Sequence, residues 1–220
     1  MLVLIPAYNS ESHIQSLLER VASTTPDASI LVVDDGSTDN TGKIASSLGA
    51  SVIRHNYNYG KGRSLRDGFR FMLEGDFSVC ITLDADLQHP PELIPNFIEK
   101  SRQGSDVVIG DRTQDFSQMP YIRRFSNWGT SVILSWMTGL HLPDSQCGFR
   151  LIKRWVIEKI NLTTSHYDTE SELLIQAAKQ GAKIGFVPIP TIYNGNPSHI
   201  KKIDETARFF RLVARYLIKR

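Results

Sequence analysis

Ile30-Leu31-Val32-Val33-Asp34-Asp35-Gly36-Ser37-Thr38-Asp39 is a short apolar run that stops abruptly at two carboxylates and a glycine. Such a run, bounded by turn residues, predicts a strand buried on both faces. Residues 38–48 then open with polar capping side chains and are followed by Gly49, which predicts a helix and its stop. The same unit recurs in both directions. Residues 2–5, 51–54, 79–83 and 107–109 are further strand candidates, all expected to be buried on both faces. Helices are expected over residues 10–22, where Ile14, Leu17, Leu18 and Val21 share a face, over 63–73, and over 91–100 with proline in the first turn. Strand, helix, strand repeated in this way predicts a parallel sheet with right-handed crossovers, an α/β domain. After Arg112 the regularity fails. Residues 113–149 form a long, partly apolar excursion, then 170–180 reads as helix, 184–189 as strand and 204–219 as helix.

Composition narrows the class. A chain of 220 residues with 41% hydrophobic and 22% charged residues is an ordinary globule, neither disordered nor collagenous. No repeat, low-complexity segment or linker divides it, so a single domain over 1–220 is expected, with 1–112 as one half and 113–220 as the other. A net charge of +2 gives no global reason to expect nucleic acid. The charge is unevenly spread: residues 199–220 carry seven basic side chains against Asp204 and Glu205, a local basic patch. Cys80 and Cys147 stand in no paired spacing, as in a reduced, cytoplasmic protein. No export signal precedes residues 2–5, and the apolar stretch 131–142 is well short of the ~20 residues a spanning helix needs. The protein is expected not to cross a membrane.

In open parallel sheets the ligand crevice lies beyond the carboxyl ends of the strands. Those positions hold Pro6-Ala7-Tyr8-Asn9, Asp34-Asp35-Gly36-Ser37-Thr38-Asp39 and Asp84-Ala85-Asp86-Leu87-Gln88-His89-Pro90-Pro91. Helix capping accounts for Asp39. It accounts poorly for Asp84 and Asp86, because residues two apart on an extended segment point the same way and their carboxylates repel unless a cation sits between or above them. Two carboxylates with the amide oxygen of Gln88 suit Mg²⁺ or Mn²⁺ better than Zn²⁺. Gly60-Lys61-Gly62-Arg63-Ser64 is neither a Walker loop nor a dinucleotide fingerprint. Its glycines would let backbone approach a ligand and Lys61 offers a cation, although a plain loop with a solvated lysine explains it equally.

These motifs, with Gly110-Asp111-Arg112 and Gln146-Cys147-Gly148-Phe149-Arg150, together resemble family 2 glycosyltransferases of the GT-A fold, a Rossmann-like, mostly parallel sheet flanked by helices. Within that family the resemblance is to dolichol- or polyprenol-phosphate mannosyl and glucosyl transferases. It implies inverting transfer of a hexose from a GDP- or UDP-sugar to a polyprenyl phosphate. Pro6, Ala7, Tyr8, Asn9, Val33 and Asp35 would hold base and ribose, with Lys61, Asp84 and Ala85 also on the nucleotide. The metal would sit on Asp84, Asp86 and Gln88, and Arg112 would face the diphosphate. The family's usual Glu directly after Pro-Ala-Tyr-Asn is Ser10 here, with Glu11 displaced by one, so which of the two touches the nucleotide is open.

Asp86, Arg112 and Asp144 are the catalytic candidates. On the acceptor side, Asp144 is preferred to Glu170 and is assigned no proton transfer, since a lipid phosphate is already anionic whereas a sugar hydroxyl needs a base. Turn and helix-dipole roles are the plain readings of the two. In residues 204–219, Ala207, Phe210, Val213, Ala214 and Leu217 recur at helical spacing beside Arg208, Arg211, Arg215 and Lys219. That helix docks on the sheet, meets anionic lipid headgroups, or does both. Trp128, Ile133, Trp136 and Met137 are expected in the core, the alternative being a rim for an isoprenoid tail. His199, Lys201 and Lys202 would close over the diphosphate. Many relatives carry spanning helices that this chain lacks, so peripheral docking on the cytoplasmic face of a membrane, a membrane partner or another acceptor is implied. The competing readings are transfer to a hydroxyl of a soluble glycan or glycolipid, a non-catalytic nucleotide-sugar binding module, and a nucleotidyltransferase. Intact metal carboxylates argue against the second, and Pro-Ala-Tyr-Asn in place of a Gly-rich loop against the third.

Overall fold

The computed structural model describes residues 1–114, 121–192 and 202–218. Seven strands form one sheet: β1 Leu2–Ala7, β2 Ser29–Asp34, β3 Ser51–Arg54, β4 Val79–Thr82, β5 Val107–Asp111, β6 Arg150–Lys153 and β7 Ile184–Pro188. Their order across the sheet is β3-β2-β1-β4-β6-β5-β7. The helices are α1 Glu11–Thr24, α2 Thr41–Ser47, α3 Lys61–Glu74, α4 Ile94–Arg102, α5 Tyr121–Thr138, α6 Arg154–Lys159, α7 Asp168–Lys179 and α8 Lys202–Ile218, with a 3₁₀ turn at Pro91–Leu93 before α4. Strands β3, β2, β1 and β4 run parallel, as do β5 and β7; β6 lies between the two groups, antiparallel to both β4 and β5.

β1, the most apolar strand, occupies the middle of the first group, and Leu2, Val3, Leu4 and Ile5 are fully buried as its continuous apolar run requires. The expectation of two buried faces fails for β3. It is the edge strand, and Ser51 and Arg54 are exposed with Val52 and Ile53 only half-buried. The chain passes from β1 to β2 on one side and later returns as β4 on the other. A crevice therefore opens beyond the carboxyl ends of β1 and β4.

The excursion of residues 113–149 contains α5, and its close leads into β6. β6 owes its place to Arg150, a fully buried side chain that donates to the carbonyls of Cys147 at 2.8 Å, Glu170 at 2.9 Å and Ser145 at 2.9 Å. Satisfied donors on every side make a buried guanidinium tolerable without a carboxylate. They also tie the loop before β6 to α7, which brings the second half of the chain to the crevice. Cys80 and Cys147 are both buried free thiols, and burial pushes Cys147 up to about 12, so it is not a nucleophile.

Candidate active site

At the end of β2 the Asp35 carboxylate is buried and fully used. It accepts the backbone N–H of Tyr59 at 3.0 Å and of Gly60 at 2.8 Å, and its Oδ1 lies 2.7 Å from His55 Nδ1. His55 Nε2 sits 3.1 Å from Asp67, which also takes Arg63 Nε at 2.6 Å. Asp35 thus pins residues 55–60, in which the rings of Tyr57 and Tyr59 are exposed, as is Tyr8 just past β1. Val33 and Ala7 lie in the core. Asn9, held at a positive φ of 49°, accepts the Thr38 N–H at 2.9 Å and donates its own to Ser37 Oγ at 2.9 Å. Ser10 and Glu11 both bond within the chain at the α1–α2 junction. Glu11 accepts the Asn40 N–H at 3.1 Å and its side-chain amide at 3.0 Å, which holds its carboxyl below the usual range, while Ser10 Oγ reaches back to the Tyr8 carbonyl at 3.3 Å. Asp39 caps the first turn of α2 through Thr41 at 3.0 Å.

Asp84 stands at the crevice beyond β4. The strand ends at Thr82 and the chain turns at residues 85–86, with Leu87 at a φ of 60°, so the extended geometry expected for 84–86 is absent. The cation at Asp84 is the ammonium of Lys61, 2.5 Å from Oδ1, which also meets Glu170 Oε1 at 3.0 Å. Burial would raise Asp84, yet the Lys61 ammonium holds it at about 2. Asp86 is raised by burial and by the Asp84 charge, and its Oδ1 accepts the Gln88 N–H at 3.0 Å. His89, buried against Phe149, is lowered to about 4 by desolvation and is neutral.

Two glycines sit in close packing here. A Cβ on Gly148 would sit 2.5 Å from Asp84 Oδ2 and 2.8 Å from Lys61 Nζ. A Cβ on Gly62 would collide with Thr169 Oγ1 and with the backbone of residues 165–166. The close approach expected of the Gly60–Gly62 loop is therefore to another part of the chain, the loop entering α7.

Arg112, just past β5, grips Asp144 in a two-pronged pair, Nε to Oδ2 at 2.7 Å and Nη2 to Oδ1 at 3.0 Å. Asp144 is wholly buried and also accepts Asn127 Nδ2 at 3.1 Å and the Gln146 N–H at 3.1 Å. Burial opposes its charge, but Arg112 holds its carboxyl below the usual range. Lys61, Asp84, Arg112 and Glu170 therefore converge, whereas Pro6, Tyr8, Asn9 and Asp35 lie along the β1–β2 end of the crevice. Neither His55 nor Asn127 was marked by any sequence spacing; Asn127 is a polar residue at helical distance from an apolar stretch, and that is the only signal that could have found it. His199 and Lys201 lie outside the described residues, and of Lys202 only the backbone is described.

Among the described residues no group of three His, Cys, Asp or Glu could enclose a metal. Asp84 and Asp86 instead offer hard carboxylate oxygens, one acid destabilised by its neighbour, with the Gln88 N–H bound to Asp86. That fits a Mg²⁺ or Mn²⁺ ion shared with substrate phosphates, which typically takes only one or two protein carboxylates. Between the start of α7 and α8, a cavity of about 520 Å³ is lined by His166, Asp168, Arg208 and Arg211 among others.

The family described as "Glycosyl transferase family 2" matches residues 2–160. A UDP-N-acetylglucosamine–dolichyl-phosphate N-acetylglucosaminyltransferase of Methanococcus voltae is 33% identical, over 87% of this chain and 85% of the relative. An undecaprenyl-phosphate mannosyltransferase of Micrococcus luteus is 32% identical, over 86% of this chain and 82% of the relative. In three dimensions, glucosyl-3-phosphoglycerate synthase from Mycobacterium tuberculosis, solved with Mn²⁺, UDP-glucose and phosphoglyceric acid, superposes with a TM-score of 0.74 at 20% identity, covering 99% of this chain and 78% of that one. The architecture is the GT-A fold.

Proposed function

Because the chain belongs to glycosyl transferase family 2, we propose that it moves a hexose from a GDP- or UDP-sugar onto a polyprenyl phosphate, with inversion at the anomeric carbon. One observation carries the acceptor half of this reading: both acceptor-side carboxylates are committed to cations, Asp144 to Arg112 and Glu170 to Lys61. A sugar hydroxyl must give its proton to a base as it attacks, whereas a phosphate monoester is already ionised near neutral pH. A site whose acids are tied up in this way suits the phosphate. The relatives named for dolichyl-phosphate and undecaprenyl-phosphate support the same acceptor class.

On the donor side, the exposed ring of Tyr8, the end of β1 at Pro6 and Ala7, and Asn9 beyond it would receive base and ribose, with Val33 supporting them from the core. Asp35 acts as a positioning residue, since its oxygens hold the amides of Tyr59 and Gly60. Asp84, Asp86 and Gln88 would hold Mg²⁺ or Mn²⁺, which when bound neutralises charge on the departing diphosphate. An acceptor phosphate oxygen attacks the anomeric carbon on the face opposite the leaving group. The new C–O bond forms as the old one breaks, and the electron pair departs on the nucleoside diphosphate. Arg112, fixed by Asp144, and Lys61, poised between Asp84 and Glu170, are the cations the chain offers to that developing charge. We place the reaction at the cytoplasmic face of a membrane, with the chain attached peripherally or through a membrane partner; no helix among the described residues is long and apolar enough to cross a bilayer.

The test incubates the protein with labelled GDP-mannose, UDP-glucose and UDP-N-acetylglucosamine in turn, with Mn²⁺ and detergent-dispersed polyprenyl phosphate. Label should enter the organic phase with one donor. Label found only in water-soluble product would replace the lipid acceptor by a hydroxyl acceptor.

A further inference from the structure

Helix α5 is amphipathic in the reverse sense. Its inner face carries Asn127 and Ser131 as well as Leu134, all buried, with Asn127 bound to Asp144 and Ser131 to Ser145. Its outer face carries Phe125, Trp128, Val132 and Trp136, spaced three, four and four residues apart and exposed by 72%, 60%, 48% and 66%. This corrects the expectation that both tryptophans belong to the core. α8 repeats the pattern. Leu212 and Val213 are buried, Arg215 and Tyr216 dock on Glu172, and Phe210, Leu217 and Ile218 face outward beside Arg211. The apolar residues Phe210 and Leu217, expected to be buried with Val213, instead flank its buried side and are exposed by 54% and 38%.

Both helices pack against α7, whose residues Thr169 to Ile175 are buried without a break. The two elements that cover this buried helix thus each turn large apolar side chains outward, where a water-facing helix carries polar ones. Charge selects the occupant. No aspartate or glutamate occurs from Phe116 to Pro143, and the acids of α8 are confined to its first turn. An apolar, aromatic face on a stretch free of acids, beside a helix whose acids stop at its first turn, matches the interfacial layer of an anionic bilayer, where indole rings settle at headgroup depth.

We propose that the outward faces of α5 and α8 form the surface by which this chain enters an anionic lipid bilayer, with Trp128 and Trp136 as the inserted side chains. The proposal rests on the lipid-acceptor reading for its purpose, because an isoprenoid phosphate lies in such a layer, but its test uses neither donor nor acceptor.

The full-length protein is mixed with phosphatidylcholine vesicles containing phosphatidylglycerol and no polyprenyl phosphate, and sedimentation and tryptophan emission are followed. Trp155, the remaining indole, is hydrogen-bonded to Asp106 and should stay unchanged. Binding should shift the emission to the blue, and a Trp128→Ser, Trp136→Ser double variant should bind about tenfold or more weakly with no such shift. Both positions are exposed, so its thermal unfolding should match the parent. Arg211→Glu should weaken binding to the anionic vesicles and leave that to pure phosphatidylcholine unchanged. Failure of the parent to bind, or equal binding by the double variant, overturns the proposal. So does an emission that is already blue without lipid and accompanied by a dimeric mass, which would make a second copy the occupant. Transfer to detergent-dispersed acceptor can succeed while vesicle binding fails, and the reverse, so the two readings fail separately.

Discussion

Replacing Asp144 by asparagine isolates the pair on which Arg112 depends. The two Asp144 oxygens receive Arg112 Nε at 2.7 Å, Arg112 Nη2 at 3.0 Å, Asn127 Nδ2 at 3.1 Å, the Gln146 N–H at 3.1 Å and the Arg112 N–H at 3.3 Å. An amide keeps the shape but can accept at one oxygen only, and it turns an NH₂ toward groups that themselves donate. Breaking a buried pair by removing one partner costs about 3–5 kcal/mol. Arg112 retains 19% side-chain exposure, and water reaching it offsets part of that cost. A loss of about 3 kcal/mol is expected, lowering the unfolding midpoint by roughly 6–12 °C for a chain of this size. The pH dependence has a definite sign. Asp144 titrates lower in the folded chain than in the unfolded one, so its stabilisation is complete above the ordinary carboxylate value of about 4 and is lost as the pH falls through the folded value. Calorimetric scans of parent and Asp144→Asn should therefore show a constant gap from neutral pH down to the ordinary carboxylate range and a narrowing gap below it. A gap under about 1 kcal/mol at neutral pH, or one that widens on acidification, would refute the reasoning. In the transfer assay the same variant should lose about 10²-fold in kcat, because Arg112 no longer points where diphosphate charge develops.

Asp86→Ala should abolish metal-dependent transfer and the heat of Mn²⁺ binding in the presence of nucleoside diphosphate. Its unfolding midpoint should move by less than about 2 °C, since burial and the Asp84 charge already disfavour that carboxylate; a large drop would mark Asp86 as structural. Gly148→Ala would press a methyl group against Asp84 Oδ2 and Lys61 Nζ, the movable ends of two side chains. The fold should survive with a midpoint shift under roughly 4 °C while kcat/KM for the donor falls about 10²-fold, and unchanged kinetics would exclude the close packing described. Glu172→Gln should loosen α8, because that carboxylate accepts from Thr163, Thr164, Arg215 and Tyr216 at 2.8–3.2 Å. The expected cost is about 2–4 kcal/mol, read as faster proteolysis within α8, and a cleavage rate equal to that of the parent would count against the clamp.

What could be read in advance followed from two periodicities. Continuous apolar runs such as Leu2 to Ile5 can satisfy their burial only inside a covered sheet, and the acids that end them fall where a parallel sheet opens. Partners from distant parts of the chain were not legible. Nothing in the spacing of Lys61, Asp84 and Glu170 says that one ammonium serves both carboxylates, nor that Asp35 holds a loop rather than offering free oxygens. β6 was missed because a four-residue strand that opens on a buried arginine offers only Leu151 and Ile152 as an apolar run; the arginine is held by three carbonyls supplied by other segments. The tryptophans of α5 failed for a different reason. Assigning apolar residues to the interior assumes that the exterior is water, and for a helix whose inner side must keep Asn127 and Ser131 on a polar site, the remaining surface is all that is left for Phe125, Trp128, Val132 and Trp136. A helix with a polar lining and an aromatic outside is stable at low cost only where the outside is itself apolar, so the residues that defeated the interior rule are the ones that point to the bilayer.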